Sequence, residues 1–320
     1  MPRAVCGQAV PRSVRMALKN VGASVRARLL RMAQEKHDSF EGLLVRYVHE
    51  RLLYRLGRSE QRTRFALKGA LLFPLWEQDI PRATRDLDLL WYGSSSPDEL
   101  AAVFRALCLM DEPDGVAFEA NSVTAQPIRE HQEYVGVRIV LRADVDNARV
   151  RVQVDVGFGD AVDPPPQRVT YPSLLDVPAP VVMAYPREVV IAEKFQAMVN
   201  LGMDNSRMKD YFDIDLLGRR HAFHGTGLAR ALEATFRRRH TALPASPPSG
   251  LSHGFAEDPR KRAQWSAFVR RLRLDAEEVT SSLPEVVVRI RRFLLPVVEA
   301  LVAGQHWNRN WPAGGPWMEP

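Results

Sequence analysis

Two aspartates two residues apart, Asp86 and Asp88, stand in the stretch Pro81-Arg-Ala-Thr-Arg-Asp-Leu-Asp-Leu-Leu. In a strand this spacing puts both carboxylates on one face, about 7 Å apart at Cα, with Leu87 and Leu89 entering the core behind them. Two such carboxylates repel unless a cation lies between them. Mg²⁺ is the natural one, since it prefers hard oxygen ligands and is commonly held by one or two carboxylates together with substrate phosphates. Alone, an Asp-x-Asp also reads as a turn or a solvated edge. Here the apolar flanks and a third acid favour a site. That acid is Asp155, in the run 150–158, where Val152, Val154 and Val156 alternate with Arg151, Gln153 and Asp155, as a strand with one buried face requires. If the two strands are neighbours, three carboxylates converge. Three acids around two metals can deprotonate an attacking hydroxyl and neutralise a departing pyrophosphate in an in-line displacement. The plain alternative for Asp155 is an exposed strand carboxylate.

Lys68-Gly69 opens a helix just upstream, where free N–H groups suit an anion and glycine lets a phosphate approach the backbone. Only six of the 44 basic residues are lysine, at positions 19, 36, 68, 194, 209 and 261. In so arginine-biased a chain, a lysine marks a place where a compact charge on a flexible stem is wanted. Lys194 lies in a helix whose Ile191, Phe195 and Met198 form a core stripe. Lys209 opens Met-Lys-Asp-Tyr-Phe-Asp, where Asp210 and Asp213 share a helical face. An i,i+4 pair between Lys209 and Asp213, worth a few tenths of a kcal/mol, is the structural alternative. The eight histidines show no metal spacing, and no Gly-x-Ser-x-Gly, Cys-x-x-Cys or complete P-loop is present.

Positioning these residues takes a sizeable chain. The 320 residues favour two compact domains, and 46% hydrophobic with 26% charged residues is an ordinary globular composition. Periodicity predicts two helices between 24 and 56, split near 36–40 and stopped by Gly57, then a short helix over 69–76 with Pro81 closing the link that follows. A strand at 87–91, a helix at 97–109 and short runs at 116–118, 134–141 and 150–158 come next. A proline-rich connection spans 163–186, and the pattern is then helical nearly to the end, broken at 244–250. The expected divisions are N-terminal helices (1–60), a catalytic core (61–180), a C-terminal helical domain (181–304) and an irregular tail (305–320) whose tryptophans pack locally. No secretion signal or membrane span is visible, and two cysteines, Cys6 and Cys108, suit a reducing cytoplasm. The net charge of +6 is uneven: residues 1–68 carry 15 basic against 5 acidic, 69–193 carry 10 against 20, and 194–320 carry 19 against 13. An acidic, cation-binding centre between basic flanks suits a polyanionic partner, although basic helices flanking an acidic domain would give the same map.

Taken together, Leu67-Lys-Gly-Ala, Arg82-x-Thr-Arg-Asp-Leu-Asp-Leu, Val152-Gln-Val-Asp-Val-Gly-Phe-Gly-Asp, Ala192-Glu-Lys-Phe and Arg207-Met-Lys-Asp-Tyr-Phe-Asp resemble the AbiEii/AbiGii nucleotidyltransferase toxins over roughly residues 24 to 300. The resemblance implies an α+β, DNA-polymerase-β-like nucleotidyltransferase core, a mixed sheet with flanking helices, followed by a C-terminal α-helical domain. It also implies a toxin of a type IV toxin–antitoxin or phage-defence pair, with a cognate antitoxin. Relatives transfer nucleotides, in several cases pyrimidines, from an NTP to the 3′ acceptor end of tRNA. Carried over by motif, Asp86, Asp88 and Asp155 would hold Mg²⁺ or Mn²⁺, and Lys194 would contact the nucleotide phosphates. Asp210 would be the acid of the later Lys-Asp motif. Lys68, Gly69, Ala70, Thr84, Arg85, Lys209 and Asp213 would complete the nucleotide site. One departure is Ala70, where many members carry Gly or Ser, so a hydroxyl contact there is lost. A metal-dependent phosphohydrolase or nuclease would use the same acids. A transferase acting on a protein or small molecule, and a non-catalytic RNA- or partner-binding module, also fit.

Overall fold

The computed structural model of the chain describes residues 12–77, 86–130, 134–272 and 281–320. They form two compact units. The first comprises the described residues from 12 to 75, 86 to 158 and 168 to 183; the second comprises 76–77, 159–167 and those from 184 to 320.

In the first unit two helices, α1 (Arg12–Glu35) and α2 (Phe40–Arg58), precede the sheet. Ser39 caps α2 by accepting the Gly42 N–H at 3.1 Å, the local signal that separates the two helices. Gly57 does not stop α2. It lies inside the helix because a side chain there would overlap the carbonyl of Val181, so glycine answers a close approach of a neighbouring strand. The sheet is built from β1 (Phe65–Lys68), β2 (Asp86–Trp91), β3 (Ala117–Glu130), β4 (Tyr134–Val145), β5 (Ala148–Phe158), β6 (Gln167–Thr170) and β7 (Val181–Ala184), in the order β3-β4-β5-β2-β1-β7-β6. β2 and β5 are parallel; β1 with β2, β3 with β4 and β4 with β5 are antiparallel. Helix α3 (Pro97–Cys108), capped by Ser96, packs on β3, and α2 packs on β5. The expected helix after Lys68 is a 3₁₀ helix, Gly69–Leu75. Its first residue has φ +71° and Pro74 lies inside it, and neither suits an α-helix.

Helix α2 also carries a buried polar row. Arg55 donates to Asp114 at 2.6 Å, Arg51 to Glu50 at 2.6 Å, and Glu50 accepts the Leu174 N–H at 2.8 Å. His49 beside them is buried with no hydrogen-bond partner on either ring nitrogen. Burial pushes its pKa down to about 4.

The second unit is helical: α4 (Arg187–Leu201), α5 (Met208–Arg220), α6 (Gly225–Arg238), α7 (His253–Glu257), α8 (Pro259–Val269) and α9 (Leu283–Val302), with a two-stranded ribbon of β8 (Phe223–His224) and β9 (Asn310–Trp311). The tail tryptophans do pack locally. Trp311 and Trp317 lie 4.8 and 5.8 Å from the Phe293 ring, and Trp311 Nε1 donates to the Gly218 carbonyl at the end of α5. Among the described residues no helix is long and apolar enough to cross a membrane.

Candidate active site

The strand register brings the three acids of the first unit together. Asp88 is the direct partner of Asp155 across the parallel β2–β5 pair, and Asp86 is the partner of Gln153. Lys68 faces Asp88 from β1, and Arg138 faces Asp155 from β4. One cross-strand row therefore reads Lys68, Asp88, Asp155, Arg138. In β2, Asp86 is exposed and Asp88 half-buried, while Leu87, Leu89, Leu90 and Trp91 are buried. The apolar flanks thus enter the core as the spacing predicts.

Gly69 follows Lys68 directly, and a side chain on it would overlap the Asp88 carboxylate. Its φ of +71° is a conformation that glycine adopts freely. Ala70, next in the 3₁₀ helix, offers no hydroxyl. Gln153 Nε2 donates to Asp86 Oδ1 at 3.0 Å. Asp155 accepts two bonds from Arg138, from Nε to Oδ1 and from Nη2 to Oδ2, each 2.8 Å long. Neither Arg138 nor Gln153 was singled out from the sequence as a site residue. Gln153 shares the polar alternation of β5 with Asp155. Arg138 sits between inward-facing Val137 and Ile139, so the same alternation in β4 is the signal that marks it.

The first unit tests its fit to a divalent cation through its donors. Asp86 and Asp88 are hard oxygen donors on one face, a pair of the kind Mg²⁺ uses together with phosphate oxygens. Asp155, directly opposite Asp88, is a third hard oxygen donor; Arg138 donates one bond to each of its oxygens, which leaves a lone pair on each. Among the described residues no group of three or more His, Cys, Asp or Glu is arranged to hold a metal ion.

The later motifs meet in the second unit. Lys194 Nζ on α4 lies 2.8 Å from Asp210 Oδ1 and 2.7 Å from Asp213 Oδ2, both on α5. Both aspartates are fully buried, whereas 12% of the Lys194 side chain is exposed. Arg207 Nε lies 2.6 Å from Asp210 Oδ2, an ion pair without hydrogen-bond alignment. Burial works to raise the Asp210 pKa, but the charges of Lys194 and Arg207 prevail and hold the carboxyl below its usual range. The i,i+3 spacing of Asp210 and Asp213 thus serves a shared lysine from another helix. Lys209 is exposed. Thr84 and Arg85, expected beside the nucleotide, lie outside the described residues, as does Pro81.

The basic flanks also differ in availability. Arg26, Arg28 and Arg31 on α1 are exposed. On α6, Arg237 is exposed, whereas Arg238 donates to the Gly159 carbonyl and Arg239 donates to Gln196 at 2.9 Å.

A family model described as "Nucleotidyl transferase AbiEii toxin, Type IV TA system" matches residues 51–293, more than half of the chain and all of the motifs above. The chain belongs to the AbiEii family. AbiEii membership makes it a nucleotidyltransferase toxin whose mixed α/β core is followed by a helical domain, and the type IV system implies a cognate antitoxin. No curated protein sequence matches it. Among solved structures, it is similar to a protein from H. pylori described as a candidate nucleotidyltransferase, with 15% identity and a TM-score of 0.48 over 84% of this chain and 100% of that one. JHP933 from Helicobacter pylori is also similar, with 16% identity and a TM-score of 0.44 over 83% and 98%.

Proposed function

We propose that this AbiEii protein transfers nucleotides from an NTP, with CTP or UTP preferred, to the 3′ acceptor end of tRNA in the presence of Mg²⁺ or Mn²⁺, and so blocks translation. The observation that carries the reading is the acid pair Asp86 and Asp88 beside Lys68 and Gly69, with the glycine leaving room for the Asp88 carboxylate. In the reaction, the acceptor 3′ oxygen bonds to the α-phosphorus as its bond to the bridging oxygen breaks and pyrophosphate departs. The hydroxyl proton passes to a carboxylate of the pair. Asp86 and Asp88, with Asp155 as the third acid, would hold the cation, which when bound offsets the triphosphate charge and polarises the phosphoryl group. Lys68, Gly69, Ala70, Thr84 and Arg85 are assigned to the nucleotide, together with Lys209 and Asp213. Lys194 is assigned to its phosphates, and Asp210 to orienting that ammonium, a role its 2.8 Å bond supports. The exposed arginines of α1 and Arg237 supply cations for tRNA phosphates.

The test is incubation with each of four α-labelled NTPs and total cellular RNA, with and without Mg²⁺. Label in tRNA-sized RNA only with the metal is expected. Label in protein alone removes the tRNA reading; shortened RNA without label turns the same acids over to a nuclease.

A further inference from the structure

Helix α5 carries a further acid on its other side. Asp215 lies two residues beyond Asp213, about 200° further round the helix, and turns towards α9 instead of α4. Arg289 of α9 donates to it twice, from Nε to Oδ1 at 2.6 Å and from Nη2 to Oδ2 at 3.0 Å. That bidentate pair already neutralises a carboxylate only 4% exposed. A second arginine is nevertheless added: Arg219 Nε donates to Oδ2 at 3.0 Å. A third, Arg292, stands three residues beyond Arg289 on α9. It is exposed and makes no hydrogen bond or ion pair among the described residues.

All three arginines line one cavity of about 60 Å³, whose apolar walls include Ile290, Phe293 and Trp311. Trp311 uses its one donor on the Gly218 carbonyl. The side-chain donors left to a guest are therefore Nη1 of Arg289, both Nη nitrogens of Arg219 and the whole Arg292 guanidinium. Asp215 is the one acid on the lining, so three cations against one anion leave a surplus of two. Glu285, whose charge reaches Arg289, is bound to Ser282 in the capping box of α9 and does not line the cavity. A cationic surplus in a concave, partly apolar recess draws in an anion, and guanidinium forks match carboxylate and phosphate geometry. The volume is about twice the ~30 Å³ share of a water molecule, enough for one small group and too little for a nucleobase. Between the two anions, a phosphate monoester brings a charge of about −1.5 to −2 and three acceptor oxygens for three forks, whereas a carboxylate brings one charge and two oxygens.

We propose that the recess between α5 and α9 binds a phosphate group, with Arg219, Arg289 and Arg292 as its donors and Asp215 as the positioning residue that holds the first two. The group belongs to a phosphate ester, a free nucleotide or a polynucleotide backbone, and its binding needs neither a metal nor the acid pair. Equilibrium dialysis of the full chain against radiolabelled inorganic phosphate in metal-free buffer tests this. One saturable site is expected. R292A and R219A should each weaken it tenfold or more at nearly unchanged Tm, and R292K should recover part of the loss, because an ammonium keeps the charge without the fork. Displacement of the label by CTP, and anisotropy of bulk tRNA carrying a 5′ fluorescein, distinguish the sources. A tenfold loss of tRNA affinity in R292A identifies a backbone phosphate; unchanged tRNA affinity with displacement by CTP identifies a free nucleotide. Absence of saturable binding, or binding unchanged in both R292A and R219A, would overturn the proposal. A site that survives both and is lost in Lys194→Arg would overturn it by moving the phosphate to the other side of α5. Label displaced by neither CTP nor tRNA would overturn it by leaving an adventitious ion only.

Discussion

The Cα of Gly69 packs against the carboxylate of Asp88, and no side chain fits between them. Gly69→Ala should therefore act twice. The positive φ costs on the order of 1–3 kcal/mol for a residue with a side chain, and the added methyl displaces Asp88. Transfer should be lost even at temperatures where the variant stays folded, which parallel thermal melts and initial rates would establish. Near-normal rates in a folded Gly69→Ala protein would show that Asp88 has more freedom than this packing allows.

Asp86→Ala and Asp88→Ala should each abolish transfer and any toxicity on expression without loss of fold. Asp88→Ala removes one of two carboxylates that face each other across β2 and β5, so its Tm should equal or exceed that of the parent. Retained toxicity in a soluble Asp86→Ala protein would point to a binding module instead of an enzyme.

Lys194 is better tested by a conservative exchange than by removal. Lys194→Ala would leave two fully buried aspartates short of their shared cation, a loss typically costing about 3–5 kcal/mol. Lys194→Arg keeps the charge but replaces a flexible ammonium with a planar fork. If Lys194 contacts the nucleotide phosphates, kcat should fall by about two orders of magnitude at nearly unchanged Tm. Wild-type turnover in Lys194→Arg would confine the chemistry to the first unit.

Much of this arrangement is legible in the sequence, and the remainder has physical causes. The alternation of Val152, Val154 and Val156 sets β5 and its Asp155, and the helical periodicity with its break near 36–40 sets α1 and α2. β1 escapes because Phe65, Ala66 and Leu67 are all buried; a strand covered on both faces shows no alternation. Gly57 misleads because its reason is a tertiary contact with Val181. The Asp210–Asp213 spacing is visible, but its partner on α4 is not, since no local rule links residues on different helices. Register likewise decides which basic residue Asp155 meets: Arg151 is nearer in sequence, but Arg138 stands opposite.

His49 makes stability depend on pH. Its folded pKa is about 4 against an ordinary 6.5, so below pH 6.5 the unfolded chain takes up a proton that the folded one refuses. The contribution is complete above 6.5 and declines as pH falls towards 4, amounting to about 2 kcal/mol between pH 7 and 5. His49→Leu also removes two unpartnered ring nitrogens. Urea unfolding at both pH values should show a smaller difference for the variant; equal slopes would mean His49 is not buried in its neutral form.

RNA affinity should weaken steeply with salt as arginines displace counterions. Each phosphate-contacting residue contributes a slope of about 0.7 to 0.9 in log K against log salt. Substituting Arg26, Arg28, Arg31 or Arg237 should flatten the slope, whereas Arg239, already bonded to Gln196, should matter less. A salt-independent affinity would remove the basic flanks from the RNA interface.

The aromatic packing of the tail divides the molecule spectroscopically. Of six tryptophans in the chain, Trp91 belongs to the first unit, while Trp76, Trp265, Trp307, Trp311 and Trp317 belong to the second. Trp307, Trp311 and Trp317 lie within ring contact of one another or of Phe293. Intrinsic emission is therefore chiefly a reporter of the helical unit, and Trp91→Phe makes it exclusively so. Circular dichroism reports the helices of both units, so a dichroism transition that does not coincide with the emission belongs to the unit that carries the acid pair.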